Sequence, residues 1–442
     1  MEPPALVAFA RVRSQPQRRR LALALLVVLA LGAGAAGAVV GAGQGDDEQT
    51  ASSVPTPGRA TPEERISFLA KIVPPPAREE AGRRSVFPRR VAALAKRMST
   101  ERRVAQLFVF GFRGTDATAE IFGRLRRLGL GGIAVSSSNY VERGQLSMLA
   151  GEAAAVAKES HHVPPWVFAS QEGGDLNAFP DLPPSAAPAA LRSARAAASE
   201  ARSSASSLRQ LGVNAVLGPV IDVGGTETGS ALGARIYSDD PEQVSAYARA
   251  AVGAYRAERV FSAAGHFPGL GATDQSTEDG PATVGLELDE LRQRDLIPFE
   301  AARDAGVPAI MIGSALYPFS DFTVPASLSR LVDSQLLRRE LHFKGVAMTD
   351  DLADPAITAL HTVPDAAVKA LRAGADLLYI SGSVGDEQAA YIAVLRAVQR
   401  GRLPRRRLDE AVGRVLLAKQ DYNLIRRRPA RSPGGRGARG RG

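Results

Sequence analysis

Two carboxylates stand side by side in Thr349-Asp350-Asp351-Leu352, directly after the apolar run Gly345-Val346-Ala347-Met348. A histidine follows a second apolar run: Val260-Phe261-Ser262-Ala263-Ala264 leads into His266-Phe267-Pro268-Gly269. In parallel α/β proteins the C-terminal ends of strands carry the chemistry. Two polar motifs at two such ends therefore predict one active face. Other run ends add to it: Ser170-Gln171-Glu172-Gly173-Gly174-Asp175, Pro219-Val220-Ile221-Asp222, Ser314, and a polar loop with Thr273, Asp274, Ser276, Glu278 and Asp279. A face rich in carboxylates and poor in cations suits a neutral, hydroxyl-rich substrate better than a phosphate. It also suits acid/base work by paired carboxylates.

Each of these residues has a plainer reading beside the chemical one. Asp350 is also placed to cap a helix after its strand. His266 could serve as a structural hydrogen-bonding group, and Glu172 as a brace for the Gly173-Gly174 turn. Arg235 has Asp239 and Asp240 close by for a surface ion pair. Metal chemistry finds little support. The five histidines, His161, His162, His266, His342 and His361, include no pair at helical zinc spacing, and cysteine is absent. No metal and no cofactor are expected. A Gly-x-Ser-x-Gly elbow is also missing, since Ser314 lies in Ile312-Gly313-Ser314-Ala315-Leu316.

The elements that must position these residues follow from the alternation across residues 91–425. Short apolar runs occur at Gln106–Phe112, Gly132–Ser136, Trp166–Ser170, Ala215–Pro219, Val260–Ala264, Ala309–Ser314, Val346–Thr349 and Leu377–Ser381. Amphipathic stretches such as Pro241–Glu258, Leu286–Ala305 and Glu387–Gln399 lie between or after them. Buried parallel strands read this way. Eight of them with helical crossovers predict an α/β fold, a single (β/α)8 TIM-type barrel. An open doubly wound sheet is the alternative, but Gly111-Phe112-Arg113-Gly114 is a poor phosphate turn.

The chain outside the barrel reads differently. Residues 1–20 carry five Arg and one Glu and are expected to form a basic cytoplasmic tail. Residues 21–43 contain no charge and follow Arg18-Arg19-Arg20, which predicts a transmembrane anchor or a cleaved signal segment. Either outcome places the barrel outside the cytoplasm. Residues 44–90 are expected to be a flexible linker, and residues 426–442, with seven Arg and no acid, a disordered tail. Residues 1–20 and 426–442 carry +11 against a net charge of +9, so the rest is near neutral at −2 and no nucleic-acid partner is expected.

The motifs resemble, in order, the catalytic barrel of glycoside hydrolase family 3, in particular its β-N-acetylhexosaminidase branch. The segments are Met98–Phe112, Gly131-Gly132-Ile133, Gln171-Glu172-Gly173-Gly174, Leu217-Gly218-Pro219-Val220-Ile221-Asp222, His266-Phe267-Pro268-Gly269, Pro325-Ala326-Ser327-Leu328-Ser329 and Thr349-Asp350-Asp351-Leu352. The resemblance implies hydrolysis of β-glycosides, such as N-acetylglucosaminides of cell-wall or peptidoglycan fragments, through a covalent glycosyl-enzyme. It implies Asp350 as nucleophile, with His266 and Arg235 holding sugar hydroxyls.

Departures from the family pattern are equally specific. Gly265 stands where the family usually has Lys, Leu270 where it has His, Ser170 where it has Asp, and Asp175 where it has Arg. The branch's Asp-Ser-His triplet, which supplies its acid/base, aligns with Ser276-Thr277-Glu278. Two readings follow. Glu278 acts as acid/base in place of the histidine, or the barrel is catalytically degenerate and binds carbohydrate or cell wall without turnover.

Overall fold

The computed structural model describes residues 87–224, 230–319 and 323–425. Eight parallel strands close into one barrel in sequence order. They are β1 Phe108–Phe110, β2 Gly132–Val135, β3 Trp166–Ala169, β4 Ala215–Val216, β5 Phe261–Phe267, β6 Ala309–Ile312, β7 Val346–Asp351 and β8 Leu377–Ile380. β1 closes the ring by pairing Val109 with both Gly132 of β2 and Tyr379 of β8. Nearly every strand residue is buried, because the barrel interior fills one face and the helices cover the other. Trp166 stacks on Phe261 with ring centroids 4.4 Å apart, inside a core built mostly from Ala, Val, Leu and Ile.

The expected runs match the strands, with informative differences. β4 is only two residues long, and the segment toward Asp222 leaves the ladder except for a bridge between Val220 and Gly265. β5 and β7 run further than expected, so His266, Asp350 and Asp351 lie inside strands rather than beyond them. Both strands lose register where these residues sit: β5 against β6 between Ala264 and Phe267, β7 against β8 between Met348 and Asp351. Such irregularities re-aim side chains and are common beside active sites. The stretch Leu286–Ala305 is two helices, Leu288–Gln293 and Leu296–Asp304, not one. Pro298 explains the break: without an N–H it fits the first turn of a helix and not its interior.

The opposite end of the barrel is held by charge. Asp376, just before β8, is fully buried and accepts hydrogen bonds from Arg338, Arg407 and Arg414 at 2.6 to 2.9 Å and from the Ala347 amide at 3.1 Å. Burial alone would raise its pKa, but the three guanidiniums hold it at about 2. Gly131 is required nearby, since a Cβ there would stand 2.2 Å from the carbonyl oxygen of Gln106.

The first described helix is Arg89–Arg97. Among the described residues no helix is long and apolar enough to cross a membrane. The expected basic tail, the anchor at residues 21–43, almost all of the linker and the tail at residues 426–442 lie outside the described residues.

Candidate active site

The last turn of β7 is built by its own side chains. Thr349 Oγ1 accepts the Tyr379 N–H at 3.1 Å, taking over where the ladder slips. Asp351 is buried and its Oδ1 accepts the N–H groups of Ala353 and Ser381 at 2.9 and 3.0 Å. Burial raises its pKa to about 6. Asp351 therefore fastens the loops around β7, and its neighbour Asp350 faces the barrel mouth. Among the described residues the Asp350 carboxylate accepts one hydrogen bond, from the Asp351 N–H on Oδ1 at 2.9 Å.

Asp222 fixes His266. The Asp222 carboxylate accepts the His266 amide at 3.0 and 3.2 Å and the Leu270 amide at 2.6 Å, and its Oδ2 lies 2.8 Å from His266 Nδ1. Nδ1 then carries the proton and Nε2 points at Asp350, with Asp350 Oδ2 at 4.0 Å. Burial pulls the imidazole pKa down, but the carboxylates of Asp222 and Asp350 outweigh it and the pKa is raised.

Arg235 makes a two-pronged pair with Glu172. Its Nε lies 2.8 Å from Oε2 and its Nη2 3.0 Å from Oε1. This corrects two sequence expectations. Asp240 does not take Arg235; it caps the helix Pro241–Ala257 through the Glu242 N–H at 2.9 Å. Glu172 does not brace the Gly173-Gly174 turn, because Asn177 Oδ1 accepts the Gly173 N–H at 2.7 Å. Burial would lower the guanidinium pKa, but Glu172 first, then Asp350 and Asp222, raise it.

One cavity of about 320 Å³ gathers these groups. Glu172, Arg235, His266, Glu278 and Asp350, all read from sequence as candidates, line it. Glu278 stands with Oε1 4.0 Å from Arg235 Nη1, its side chain 72% exposed. Asp354 lines the same cavity and was not foreseen, because Asp before Pro at a helix start reads as an ordinary cap. Met311 also lines it; a Cβ on Gly265 would lie 3.1 Å from Met311 Cβ. The methionine thus occupies the space toward which a side chain at position 265 would grow. Among the described residues no cluster of three or more His, Asp or Glu is arranged to hold a metal ion.

A closed parallel barrel with acid, histidine and arginine at its mouth has relatives of known kind. Residues 99–418 match the glycosyl hydrolase family 3 N terminal domain. A beta-hexosaminidase of Stenotrophomonas maltophilia is 31% identical over 284 residues, which is 62% of this chain and 83% of that protein. One from Xanthomonas oryzae pv. oryzae is 29% identical over 324 residues, 70% of this chain and 92% of that protein. Among solved structures, a glycoside hydrolase family 3 beta-N-acetylglucosaminidase from Paenibacillus sp. superposes with a TM-score of 0.71 at 32% identity. That match covers 76% of this chain and 65% of the other, so this chain spans a little under two thirds of that protein. M tuberculosis LpqI superposes with a TM-score of 0.67 at 28% identity, covering 75% of this chain and 96% of the other. The eight-stranded barrel, the ordered motifs and the match over residues 99–418 together place this chain in glycosyl hydrolase family 3.

Proposed function

We propose that the protein hydrolyses β-linked N-acetylhexosaminides, N-acetylglucosaminides of cell-wall fragments among them, with retention of configuration. Support comes from the beta-hexosaminidase relatives and from one observation above all. Asp350 presents a carboxylate to the cavity with Oδ2 unbonded among the described residues, and His266 and the Arg235–Glu172 pair stand around it. Such a carboxylate attacks the anomeric carbon, and a second carboxyl protonates the leaving oxygen. Proton delivery belongs to the acidic wall opposite, where Glu278 is the sequence candidate. Arg235 offers N–H donors to sugar hydroxyls, His266 presents Nε2 to them, and Glu172 fixes Arg235.

A mechanism-based fluoro-sugar tests this directly. It should label Asp350, and Asp350→Asn should lose turnover by orders of magnitude while folding is kept. A second reading, a barrel that binds carbohydrate without turnover, is favoured by the Ser276-Thr277-Glu278 triplet and the solvation of Glu278. It requires sugar binding by calorimetry with neither turnover nor label.

We propose also that the barrel lies outside the cytoplasm, tethered or released by residues 21–43. Protease added to intact cells or spheroplasts should then degrade it. Protection until lysis would contradict this placement.

A further inference from the structure

Asp354 is held on a fixed turn at the cavity wall. Its N–H donates to the Asp351 carbonyl at 3.3 Å, and its own carbonyl accepts the N–H groups of Ile357 and Thr358 at 2.9 Å. The Ala356 N–H donates to the Thr277 carbonyl at 3.1 Å, tying this turn to the loop that carries Glu278. An N-cap aspartate ordinarily turns its carboxylate onto the helix amides. Asp354 makes no such bond to the helix Pro355–Thr358, and it lines the cavity with Asp350. Glu278, by contrast, is a largely solvated side chain beside Arg235.

We propose that Asp354, rather than Glu278, is the acid/base of the glycosidase reaction, an assignment that rests on the retaining reading with Asp350 as nucleophile. The groups facing Asp354 are Asp350 and Asp351 from β7, Glu278 from the loop after β5, and Arg235 from the loop after β4. Burial first, then the three carboxylates, raise its pKa to about 9 against the opposing pull of Arg235. Its carboxyl therefore holds a proton at neutral pH.

That proton balances the reaction. Asp350 attacks the anomeric carbon and forms an ester. The bond to the leaving oxygen breaks, and its electron pair takes the Asp354 proton. The ester removes the Asp350 charge, so one of the repulsions that kept Asp354 protonated disappears and its pKa falls. Asp354 is then a base. It takes a proton from water as the water oxygen attacks the same carbon and the ester bond breaks. The restored Asp350 charge raises the Asp354 pKa again, which readies it for the next cycle. The nucleophile thus switches its partner between acid and base.

The test compares Asp354→Asn, Glu278→Gln and the wild-type chain on an aryl N-acetylglucosaminide with an activated leaving group and on a disaccharide. Asp354→Asn should lower kcat/KM on the disaccharide by roughly 10²- to 10⁴-fold and spare the first step on the activated substrate. The glycosyl-enzyme should accumulate on Asp350, and added azide should restore turnover as a β-glycosyl azide. Glu278→Gln removes a charge facing Asp354. It should shift the alkaline limb of the pH profile to lower pH, without azide rescue. Azide rescue in Glu278→Gln and none in Asp354→Asn would overturn the assignment while leaving the glycosidase reading intact. A wild-type chain with neither turnover nor label on Asp350 would overturn both. Carbon-13 spectra of aspartate-labelled wild-type protein give a readout that does not depend on how the variants fold. One carboxyl should titrate near pH 9 and move to lower pH in the fluoro-sugar adduct, and absence of any aspartate titrating above pH 8 would also overturn the assignment.

Discussion

The Nε2 atom of His266 stands 4.0 Å from Oδ2 of Asp350. Asp222 creates this relationship by holding the other ring nitrogen at 2.8 Å and the His266 amide as well. At that distance a single sugar hydroxyl can contact both groups.

The raised pKa of His266 has a stability consequence. Relative to an unfolded pKa of about 6.5, a raised folded value adds stability that is fully present below that pH. It is lost as pH rises through the folded value. The stability difference between wild type and His266→Asn, from urea unfolding across pH 6 to 9, should therefore be largest at the acid end and shrink upward. A difference that grows with pH would contradict the protonated imidazole.

Arg235→Lys should be far from conservative. Lysine keeps the charge but cannot make both bonds to Glu172, so the cation that faces the cavity is no longer held in one place. Sugar affinity measured by calorimetry should fall by roughly 1–3 kcal/mol. An unchanged affinity would remove Arg235 from the binding site.

Gly265 and Met311 should be coupled. Gly265→Lys in the wild-type background pushes a Cβ to 3.1 Å from Met311 Cβ and should cost about 1–3 kcal/mol. Gly265→Lys combined with Met311→Gly, which removes that Cβ, should be less destabilised than the sum of the two single changes. A double-mutant cycle by urea unfolding measures this. Simple additivity would show that Met311 does not occupy the space of a side chain at 265.

Asp376→Ala removes one carboxylate from three buried or half-buried guanidiniums and should destabilise the fold by about 3–5 kcal/mol. The wild-type contribution follows the depressed pKa. It is complete above an unfolded value of about 3.9 and is lost as pH falls toward the folded value of about 2. Acid unfolding monitored by far-UV circular dichroism should show the loss in that window for wild type and not for the variant.

What the sequence could reveal depended on how local the cause was. Eight apolar runs sufficed for the barrel, because burial on both faces leaves a continuous signal within a few residues. Asp350 and His266 were legible for the same reason, each closing such a run. The partner of Arg235 was not: nearby Asp239 and Asp240 looked suitable, while Glu172 lies 63 positions away and only barrel closure brings it near. Asp222, beyond the end of β4, and His266, in β5, are 44 positions apart and meet only once the barrel closes. Asp354 was not legible because its setting comes from β7 and two distant loops, while its local sequence, Asp-Pro at a helix start, has a sufficient explanation of its own.

The two register slips, at Gly265-His266 in β5 and Thr349-Asp350 in β7, bear on any attempt to move this site to another scaffold. Side chains alternate across a strand, so parity decides whether a residue looks into the mouth or into the helical jacket. Copying His266 and Asp350 onto two regular strands would keep the letters and lose the aim. A recipient barrel would have to receive the misaligned backbone of both strands, together with the Thr349 hydroxyl and the Asp351 carboxylate that supply acceptors for the amides of β8 and the residue just past it. The smallest portable unit of this active site is therefore a pair of defects in the sheet and not a set of side chains.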